Sequence, residues 1–254
     1  MWRLKRALYG LKQAPRAWYT RIDSYFIGLG FTKSEADVNL YQIVVDGKLL
    51  IIILYVDDII LTDDEQLIIY CKEDLVREFE MKDMGLLHYF LGLEIWQWDG
   101  ELFFSQGKYA KEILSKFHME RCKPMDAPLP INWRKEDATS GEVVDATIYK
   151  KLVGSLMYLV NTRPNICYKI NQLSQAKLTK LFWKAGKHVF RYLRGTIEYL
   201  LCYRWIEGVK LQGFMDADWA GSPLDRKSTS GGIFNIGLTT VSWYNRKQRS
   251  MALS

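Results

Sequence analysis

The 254-residue sequence predicts an α+β fold that joins helices to antiparallel strands. Three patterns indicate it. Apolar residues recur at helical spacing over 64–80, 106–119 and 177–194. Asp46-Gly47 separates two strand-like apolar runs and is a strong signal for a two-residue hairpin turn. Short apolar runs divided by glycine-containing turns fill 199–245 and predict further strands.

The predicted elements follow in order along the chain. Residues 4–30 have helical spacing, but Pro15 predicts a break at 13–15 and hence two shorter helices. Strands are predicted at 40–45, 48–55, 59–61, 85–95 and 101–105. Helices are predicted at 64–80, 106–119, 147–161, 164–175 and 177–194. Residues 122–146 contain three prolines and predict an extended connector, and 199–245 predicts a three- to four-stranded antiparallel meander without a partner helix.

Composition excludes several classes of protein. Apolar residues make up 48% and charged residues 25%, which is ordinary for a globular chain and excludes general disorder. The longest apolar stretch, Leu49–Val56, is much shorter than the roughly 20 residues that span a bilayer, so no membrane partner is expected. The four cysteines and three histidines are scattered, which argues against a His/Cys metal site and predicts free thiols in a reducing, intracellular compartment. The net charge of +6 is compatible with nucleic-acid binding without being diagnostic of it.

The tetrapeptide Tyr55-Val56-Asp57-Asp58 places two adjacent acids at the end of an apolar strand. Such acids are costly unless a cation meets them, and carboxylate oxygens suit Mg²⁺. Asp-Asp is also ordinary turn composition, so a solvated hairpin tip is the more common explanation of the tetrapeptide taken alone.

Basic residues form a stripe along the predicted helix at 177–194, which we call the basic stripe. Its members are Lys177, Lys180, Lys184, Lys187, Arg191 and Arg194. They recur at spacings of three and four, which places them on one helical face opposite the apolar residues. The stripe is equally consistent with contact to duplex phosphates and with an ordinary solvated helix face.

Five segments, in order along the whole chain, resemble the reverse transcriptase of copia-type LTR retrotransposons. They are Leu4–Tyr19 (LKRALYGLKQAPRAWY), Leu54–Leu61 (LYVDDIIL), Phe79–Ile95 (FEMKDMGLLHYFLGLEI), Tyr149–Arg163 (YKKLVGSLMYLVNTR) and Phe214–Ser254. The resemblance implies an incomplete polymerase palm at 1–120, a helical thumb or connection at 121–198 and a truncated RNase H-like antiparallel sheet at 199–254.

The same resemblance implies the partners of the chain. They are an RNA template, a DNA primer, the RNA–DNA hybrid, a dNTP and other segments of the retrotransposon polyprotein. It also implies Mg²⁺ or Mn²⁺ as cofactor, and a cytoplasmic particle or the nucleus as the location.

Site residues carry over position by position. Asp57 and Asp58 match the catalytic metal-binding pair of the palm, and Asp216 matches the first metal-binding carboxylate of RNase H. The residues expected at the nucleotide or the primer are Gly10, Lys12, Gln13, Tyr55, Val56, Lys82, Phe90, Leu91 and Gly92. Lys82 is expected near the departing pyrophosphate. Asp218 is expected to be structural.

The sequence departs from the family pattern at both active sites. A palm needs a further carboxylate from an earlier strand, and Asp23, Asp37 and Asp46 do not follow an apolar strand as that residue should. The RNase H glutamate is expected on a helix after Ser254. We therefore expect a polymerase fragment that is inactive alone, the alternatives being a non-catalytic nucleic-acid-binding remnant and a decayed element without function.

Overall fold

The computed structural model describes residues 10–130, 144–174, 179–208, 210–219 and 227–251. The chain divides into two units, Met1–Gly85 and Leu86–Ser254, and each unit has its own buried core. The division predicted from the sequence, 1–120, 121–198 and 199–254, stays a prediction. None of the helices within these ranges is long and apolar enough to cross a membrane.

The first unit combines two helices with a four-stranded antiparallel sheet. Its helices are α1 (Ala14–Gly28) and α2 (Glu65–Glu78). Its strands, in sheet order, are β1 (Thr32–Lys33), β2 (Leu40–Val45), β3 (Lys48–Tyr55) and β4 (Asp58–Asp63). The predicted limits of β2 and β3 are confirmed at both ends, whereas the two-residue β1 was not predicted.

Pro15 determines where α1 begins. It lies in the first turn of the helix, where its missing N–H removes no intrahelical bond. The start of α1 at Ala14 thus falls within the break predicted at 13–15. The helix predicted before it falls mainly on residues 1–9, outside the described residues.

The core of the first unit lies between the helices and one face of the sheet. Ile22 and Phe26 of α1 and Tyr41 and Ile52 of the sheet are fully buried. The rings of Phe26 and Tyr41 lie 5.0 Å apart. Helical spacing on α1 and alternation along β3 thus bring their apolar faces into one core.

A polar network built on Asp23 joins α1 to the sheet. Lys33 Nζ lies 2.5 Å from Asp23 Oδ1, and the hydroxyl of the buried Tyr41 donates to the same oxygen at 2.7 Å. Burial raises the pKa of Asp23, but the hydrogen bonds from Lys33 and Tyr41 outweigh it and hold that pKa below its ordinary 3.8. Asp23 is a structural residue, in agreement with its exclusion from the predicted metal ligands.

Asp23→Ala removes the acceptor that Lys33 and Tyr41 share. We expect the free energy of unfolding at pH 7 to fall by about 1–3 kcal/mol, because a buried donor is left unpaired. Since the pKa of Asp23 is lower in the folded than in the unfolded chain, its contribution is present above about pH 4 and is lost as the pH falls through the folded-state pKa. Urea unfolding followed by circular dichroism measures both effects.

The matched control is Glu73→Ala, which removes an exposed carboxylate from α2. We expect a change within about 0.5 kcal/mol. Equal losses in the two variants, or an Asp23 contribution that grows below pH 4, would contradict the assignment.

The described residues of the second unit form four helices and seven strands. The helices are α3 (Gly107–Lys116), α4 (Ala146–Leu159), α5 (Pro164–Ser174) and α6 (Lys180–Gly195). Its seven strands are β5 (Tyr89–Phe90), β6 (Leu93–Trp98), β7 (Glu101–Ser105), β8 (Leu200–Arg204), β9 (Leu211–Ala217), β10 (Lys227–Ile236) and β11 (Thr239–Met251). These strands form two antiparallel sheets, β5-β6-β7-β8 and β9-β10-β11.

Three predictions for the second unit were wrong. The single strand at 85–95 is interrupted by a turn at Leu91 and Gly92, whose positive φ values of 49° and 76° end one strand and begin the next. β8 (Leu200–Arg204) does not continue a meander with β9, because it pairs with β7 (Glu101–Ser105), which lies far earlier in the sequence. The last sheet also has a partner helix, since α5 packs against β11 and Asn171 Nδ2 donates to Asn245 O at 3.0 Å.

Gly186 allows α4 and α6 to approach closely. A Cβ at this position would lie 2.6 Å from Leu152 Cδ2, which no packed core tolerates without a shift. Glycine in a helix interior costs about 1 kcal/mol relative to alanine. Here the close contact between Leu152 and the α6 backbone explains why the glycine is present.

Arg163 is a buried cation in the connection between α4 and α5. It is 1% exposed, one Nη donates to Ile197 O at 3.1 Å, and its guanidinium lies over the ring of Tyr199. Burial lowers its pKa. The guanidinium thus ties the start of α5 to the approach to β8, and its Nε and other Nη have no hydrogen-bond partner among the described residues.

Candidate active site

The two adjacent acids lie at the tip of the β3–β4 hairpin. Tyr55 pairs with Asp58, so Val56 and Asp57 are the two residues of the turn. Val56 has φ 56°, a left-handed conformation that is a clear outlier for a β-branched residue. Such a position costs on the order of 1–3 kcal/mol and persists only where neighbouring contacts impose it.

Trp18 of α1 supplies such a contact. Its indole Nε1 donates to the carbonyl oxygen of Val56 at 2.7 Å. The Trp18 ring packs edge-on against Phe79 at 5.4 Å, and Phe79 is buried and also contacts Tyr25. The turn is therefore attached to the core of the unit through one aromatic side chain.

Asp57 lies in the turn and Asp58 is the first residue of β4, and both are exposed. Hard carboxylate oxygens are the ligands that Mg²⁺ and Mn²⁺ prefer, and Mg²⁺ is commonly held by one or two carboxylates together with water and a substrate phosphate. The pair fits such an ion in kind. In the described stretches, however, no group of three His, Cys, Asp or Glu side chains is placed to hold a metal.

The residues predicted to face a nucleotide also belong to the first unit. Gly10 has φ 87° and lies in the exposed turn before α1, together with Lys12 and Gln13. Gln13 occupies the N-cap position of α1, but its side chain makes no capping bond. Lys82 is exposed after the end of α2.

The predicted primer-contacting residues form a second tight turn, in the other unit. Leu91 and Gly92 connect β5 to β6, with Phe90 paired to Leu93. The hydroxyl of Tyr158 on α4 donates to the Leu91 carbonyl, and a Cβ at Gly92 would clash with the same phenol. The turn is thus held against α4.

A comparison with protein families shows which family the chain that carries these turns belongs to. The family model described as reverse transcriptase (RNA-dependent DNA polymerase) matches residues 1–131. The chain belongs to the reverse transcriptase family. The resemblance to the copia-type enzymes is confirmed by its relatives, which include Pol polyproteins of plant transposons.

Relatives of the chain extend the match to nearly its whole length. The retrovirus-related Pol polyproteins from transposons RE2 and RE1 of Arabidopsis thaliana are 36% and 35% identical over 99% of the chain. The chain spans only 18% and 17% of the length of these polyproteins. An uncharacterised mitochondrial protein of Arabidopsis thaliana is 37% identical over 80% of the chain and 85% of its own length. No solved structure matches the chain.

The basic stripe of this reverse transcriptase chain is divided by its contacts. Lys180, Lys184 and Lys187 are exposed on α6, and Lys177 lies outside the described residues. Arg191 Nε donates to Lys123 O at 2.9 Å, and Arg194 Nε donates to Glu120 O at 2.7 Å. The two arginines therefore fasten the segment after α3 to α6, a role that helical periodicity alone does not reveal.

The predicted RNase H carboxylate, Asp216, is exposed on β9 opposite Gly231. Asp218 has a different environment, because its Oδ1 accepts from the backbone N–H of Thr229 at 2.6 Å. The structural interpretation of Asp218 is consistent with this bond. Both acids line an open hollow between the last sheet and α5.

Two residues of this chain escaped the sequence analysis. Trp18 and Tyr158 each hold a strained turn by donating to a backbone carbonyl. Both lie in segments that carry the family resemblance, Leu4–Tyr19 and Tyr149–Arg163. That signal marked the segments, but neither the spacing nor the residue types indicate which side chain reaches which turn.

Val56→Gly tests the strain in the turn. Glycine adopts a positive φ without steric cost, so we expect the free energy of unfolding to rise by about 1 kcal/mol after its larger chain entropy is counted. The carbonyl that accepts from Trp18 is kept. Urea unfolding of the variant and of the parent chain measures the difference.

Val44→Gly is the matched control, because Val44 is 65% exposed and Val56 is 63% exposed. Val44 lies in the extended backbone of β2. Glycine there should lower the free energy of unfolding by roughly 0.5–1 kcal/mol. Changes of the same sign at both positions would show that the φ of Val56 carries no strain.

Proposed function

We propose that this chain contributes a catalytic carboxylate pair and primer and nucleotide contacts to template-directed DNA synthesis by a retrotransposon Pol polyprotein. The carrying observation is the Asp57-Asp58 pair, held exposed at the tip of a strained hairpin by Trp18. Membership of the reverse transcriptase family supports the reaction class. The substrates would be a DNA primer on an RNA template and a dNTP.

Asp57 and Asp58 are the residues that would hold Mg²⁺ or Mn²⁺. Bound there, such ions would supply stabilisation of the negative charge that develops during nucleotidyl transfer. The carboxylates bring the negative charge that attracts the cation, and the turn orients two adjacent side chains that a regular strand would send to opposite faces.

The remaining residues of the proposal orient the substrates. Tyr55 and Val56 are exposed beside the carboxylates and would contact the primer terminus. The positive φ of Gly10 permits a close backbone approach to a nucleotide, with Lys12 and Gln13 beside it. Lys82 would meet the departing pyrophosphate.

In the second unit, the Phe90–Gly92 turn would grip the primer strand, because Tyr158 holds it rigidly. Asp216 would serve as a metal-binding carboxylate for cleavage of the RNA strand of an RNA–DNA hybrid. Its exposed place near the end of β9 supports this role.

We further propose that the chain alone does not extend a primer. The two carboxylates are one ligand short of the set that a two-metal palm uses. Each 1.36 kcal/mol by which the missing ligand raises the activation barrier slows the reaction about tenfold. Other segments of the polyprotein would complete the site. The absence of a third acidic ligand among the described residues supports the proposal.

Metal binding tests the carboxylate pair directly. Titration with Mn²⁺, followed by the electron paramagnetic resonance signal of the free ion, should show binding that Asp57→Asn or Asp58→Asn each weakens by roughly tenfold, since one charged ligand is lost. A primer-extension assay with Mg²⁺, dNTPs and a primed RNA template should show no product from the isolated chain.

Asp46→Asn is the matched control for Mn²⁺ binding. Asp46 also lies in a two-residue hairpin turn of the first unit, with φ 52°, which asparagine tolerates. Its replacement should leave Mn²⁺ affinity unchanged. Unchanged affinity in Asp57→Asn would remove the proposed site, and extension that depends on Asp57 would refute the inactivity of the isolated chain.

The second candidate function is nucleic-acid binding without catalysis, as in a remnant of a decayed element. The exposed lysines of α6 favour it, because each phosphate neutralised by a lysine releases counterions. This function does not need the Asp57-Asp58 pair. It differs from the first proposal in that no Mn²⁺ binding at the pair is expected, so Asp57→Asn would leave both Mn²⁺ affinity and nucleic-acid binding unchanged.

Variants of Lys184 and Arg194 distinguish the exposed lysines of the basic stripe from its two arginines that bond to backbone carbonyls. Lys184→Gln should weaken binding to an RNA–DNA hybrid and reduce the slope of log affinity against log salt by up to about 0.9, the value for one lost phosphate contact. Arg194→Gln should instead lower the free energy of unfolding by about 0.5–1.5 kcal/mol, through the lost bond to Glu120 O. Fluorescence anisotropy at several salt concentrations and urea unfolding measure these effects. A salt slope that Lys184→Gln leaves intact would exclude α6 from the binding surface.

A further inference from the structure

An open hollow of about 440 Å³ lies in the second unit where the end of α3 meets α4 and α6. This volume is within the roughly 300–1,000 Å³ range of ligand pockets. Its floor is apolar and is formed by Phe117, Ile148, Leu152, Trp183 and Phe190. The rings of Phe117 and Phe190 lie 5.0 Å apart. We call this feature the aromatic hollow.

Basic side chains from three helical segments surround the aromatic hollow. Lys116 and His118 follow α3, Lys151 lies on α4, and Lys187 lies on α6. All four are exposed. Lys187 Nζ lies 5.3 Å from the centre of the Trp183 ring, and Lys116 Nζ lies 6.0 Å from that of Phe117. The cations therefore stand directly beside the aromatic floor.

No acidic residue within the described ranges lines the hollow. Asp145, which interacts electrostatically with Lys151, and Glu120, which interacts with His118, have other partners. Asp145 accepts from the backbone N–H groups of Thr147 and Ile148 as the cap of α4. A hydrogen bond from Ser115 is the first cause of the lowered pKa of Glu120, ahead of the charge on His118. The hollow thus keeps an excess of positive charge.

We propose that the aromatic hollow binds an unpaired nucleotide of a single-stranded nucleic acid. The base packs on the aromatic floor, and the flanking phosphates contact Lys116, Lys151 and Lys187. The inference rests on the nucleic-acid binding proposed above and adds to it a surface for single strands. Of the hollow's residues only Lys187 belongs to the basic stripe.

The combination of floor and rim favours this occupant over a duplex. Aromatic side chains bind any base through its ring face, and surrounding lysines follow the backbone, which is the usual composition of single-strand sites. A paired base is stacked within its helix and must be extruded at a cost of a few kcal/mol before it can enter a hollow. A duplex would therefore meet the rim lysines but leave the floor empty.

The proposal is tested on the full chain with two single-stranded oligonucleotides, one that carries bases and one that is abasic. A fluorescein-labelled oligothymidylate of about ten nucleotides, within the usual site size of single-strand folds, is compared by anisotropy with an abasic strand of equal length. The parent chain should bind the thymidylate about tenfold more tightly, as expected for one stacked base. Trp183→Leu should remove the preference for the thymidylate over the abasic strand. The double variant Lys116→Gln and Lys151→Gln should lower the affinity for both strands equally.

Lys111→Gln is the matched control, because it removes a charge from α3 outside the hollow, and it should leave the ratio unchanged. The exposed lysine variants keep the test valid even if Trp183→Leu does not fold, which thermal melting checks. Equal affinity of the parent chain for both strands, or a ratio that survives Trp183→Leu, would overturn the inference. An acidic, aromatic peptide that binds only when Trp183 is present, and that does not displace the thymidylate, would also overturn it. Trp183 would then serve a protein partner rather than a base.

An RNA–DNA hybrid distinguishes this inference from the proposed function. Hybrid binding that is unchanged by Trp183→Leu supports the separate single-strand surface. Hybrid binding that falls as much as thymidylate binding overturns the inference and leaves the proposed function intact. A chain that shows the thymidylate ratio but binds no hybrid supports the hollow and contradicts the duplex contacts proposed above.

Discussion

The hydrogen bond from Trp18 to the carbonyl of Val56 fixes the turn on which the chemistry proposed for the first unit depends. The apolar strand β3 carries the chain out of the core, and without a fixed turn the following acids would take any solvated arrangement. Val56 is instead held at φ 56°, a strained conformation from which a flexible tip would relax. Since Trp18 packs on Phe79, the packing of α1 and the end of α2 is coupled to where Asp57 and Asp58 point.

A similar arrangement recurs in the second unit. The Leu91-Gly92 turn also has positive φ values, and a phenol donates to its carbonyl from α4. In both units a helix that belongs to the core extends one hydrogen-bonding aromatic side chain to a tight turn. An aromatic side chain suits this task because its ring is fixed by packing while a single polar atom reaches outward. The turns thus acquire the rigidity of the cores rather than the mobility of surface loops.

Local chemistry made much of this fold predictable, whereas long-range contacts did not. The limits of β2 and β3 follow from alternation and from Asp46-Gly47, and the start of α1 follows from Pro15. The pairing of β8 with β7 depends on residues about a hundred positions apart, which no local pattern encodes. Arg191 and Arg194 share the spacing of the other stripe residues, yet their partners are carbonyls on a distant segment. The catalytic role of the carboxylate pair stays a prediction that rests on the family resemblance, since adjacent acids alone are ordinary turn composition, and Trp18 was missed because its partner, Val56, is distant in the sequence.

The distribution of strain bears on the choice between a working fragment and a decayed one. A chain selected for stability alone would place glycine or asparagine at Val56 and would not fill a left-handed position with a β-branched residue. In this chain the strained Val56 occurs together with the side chain that holds its carbonyl, and the same is true of Leu91 and Tyr158. Strained turns that are both rigidly held and adjacent to proposed substrate contacts are typical of sites that position reacting groups. This pairing supports the carboxylate proposal more strongly than the charge on α6 supports binding alone, because exposed lysines cost nothing to keep.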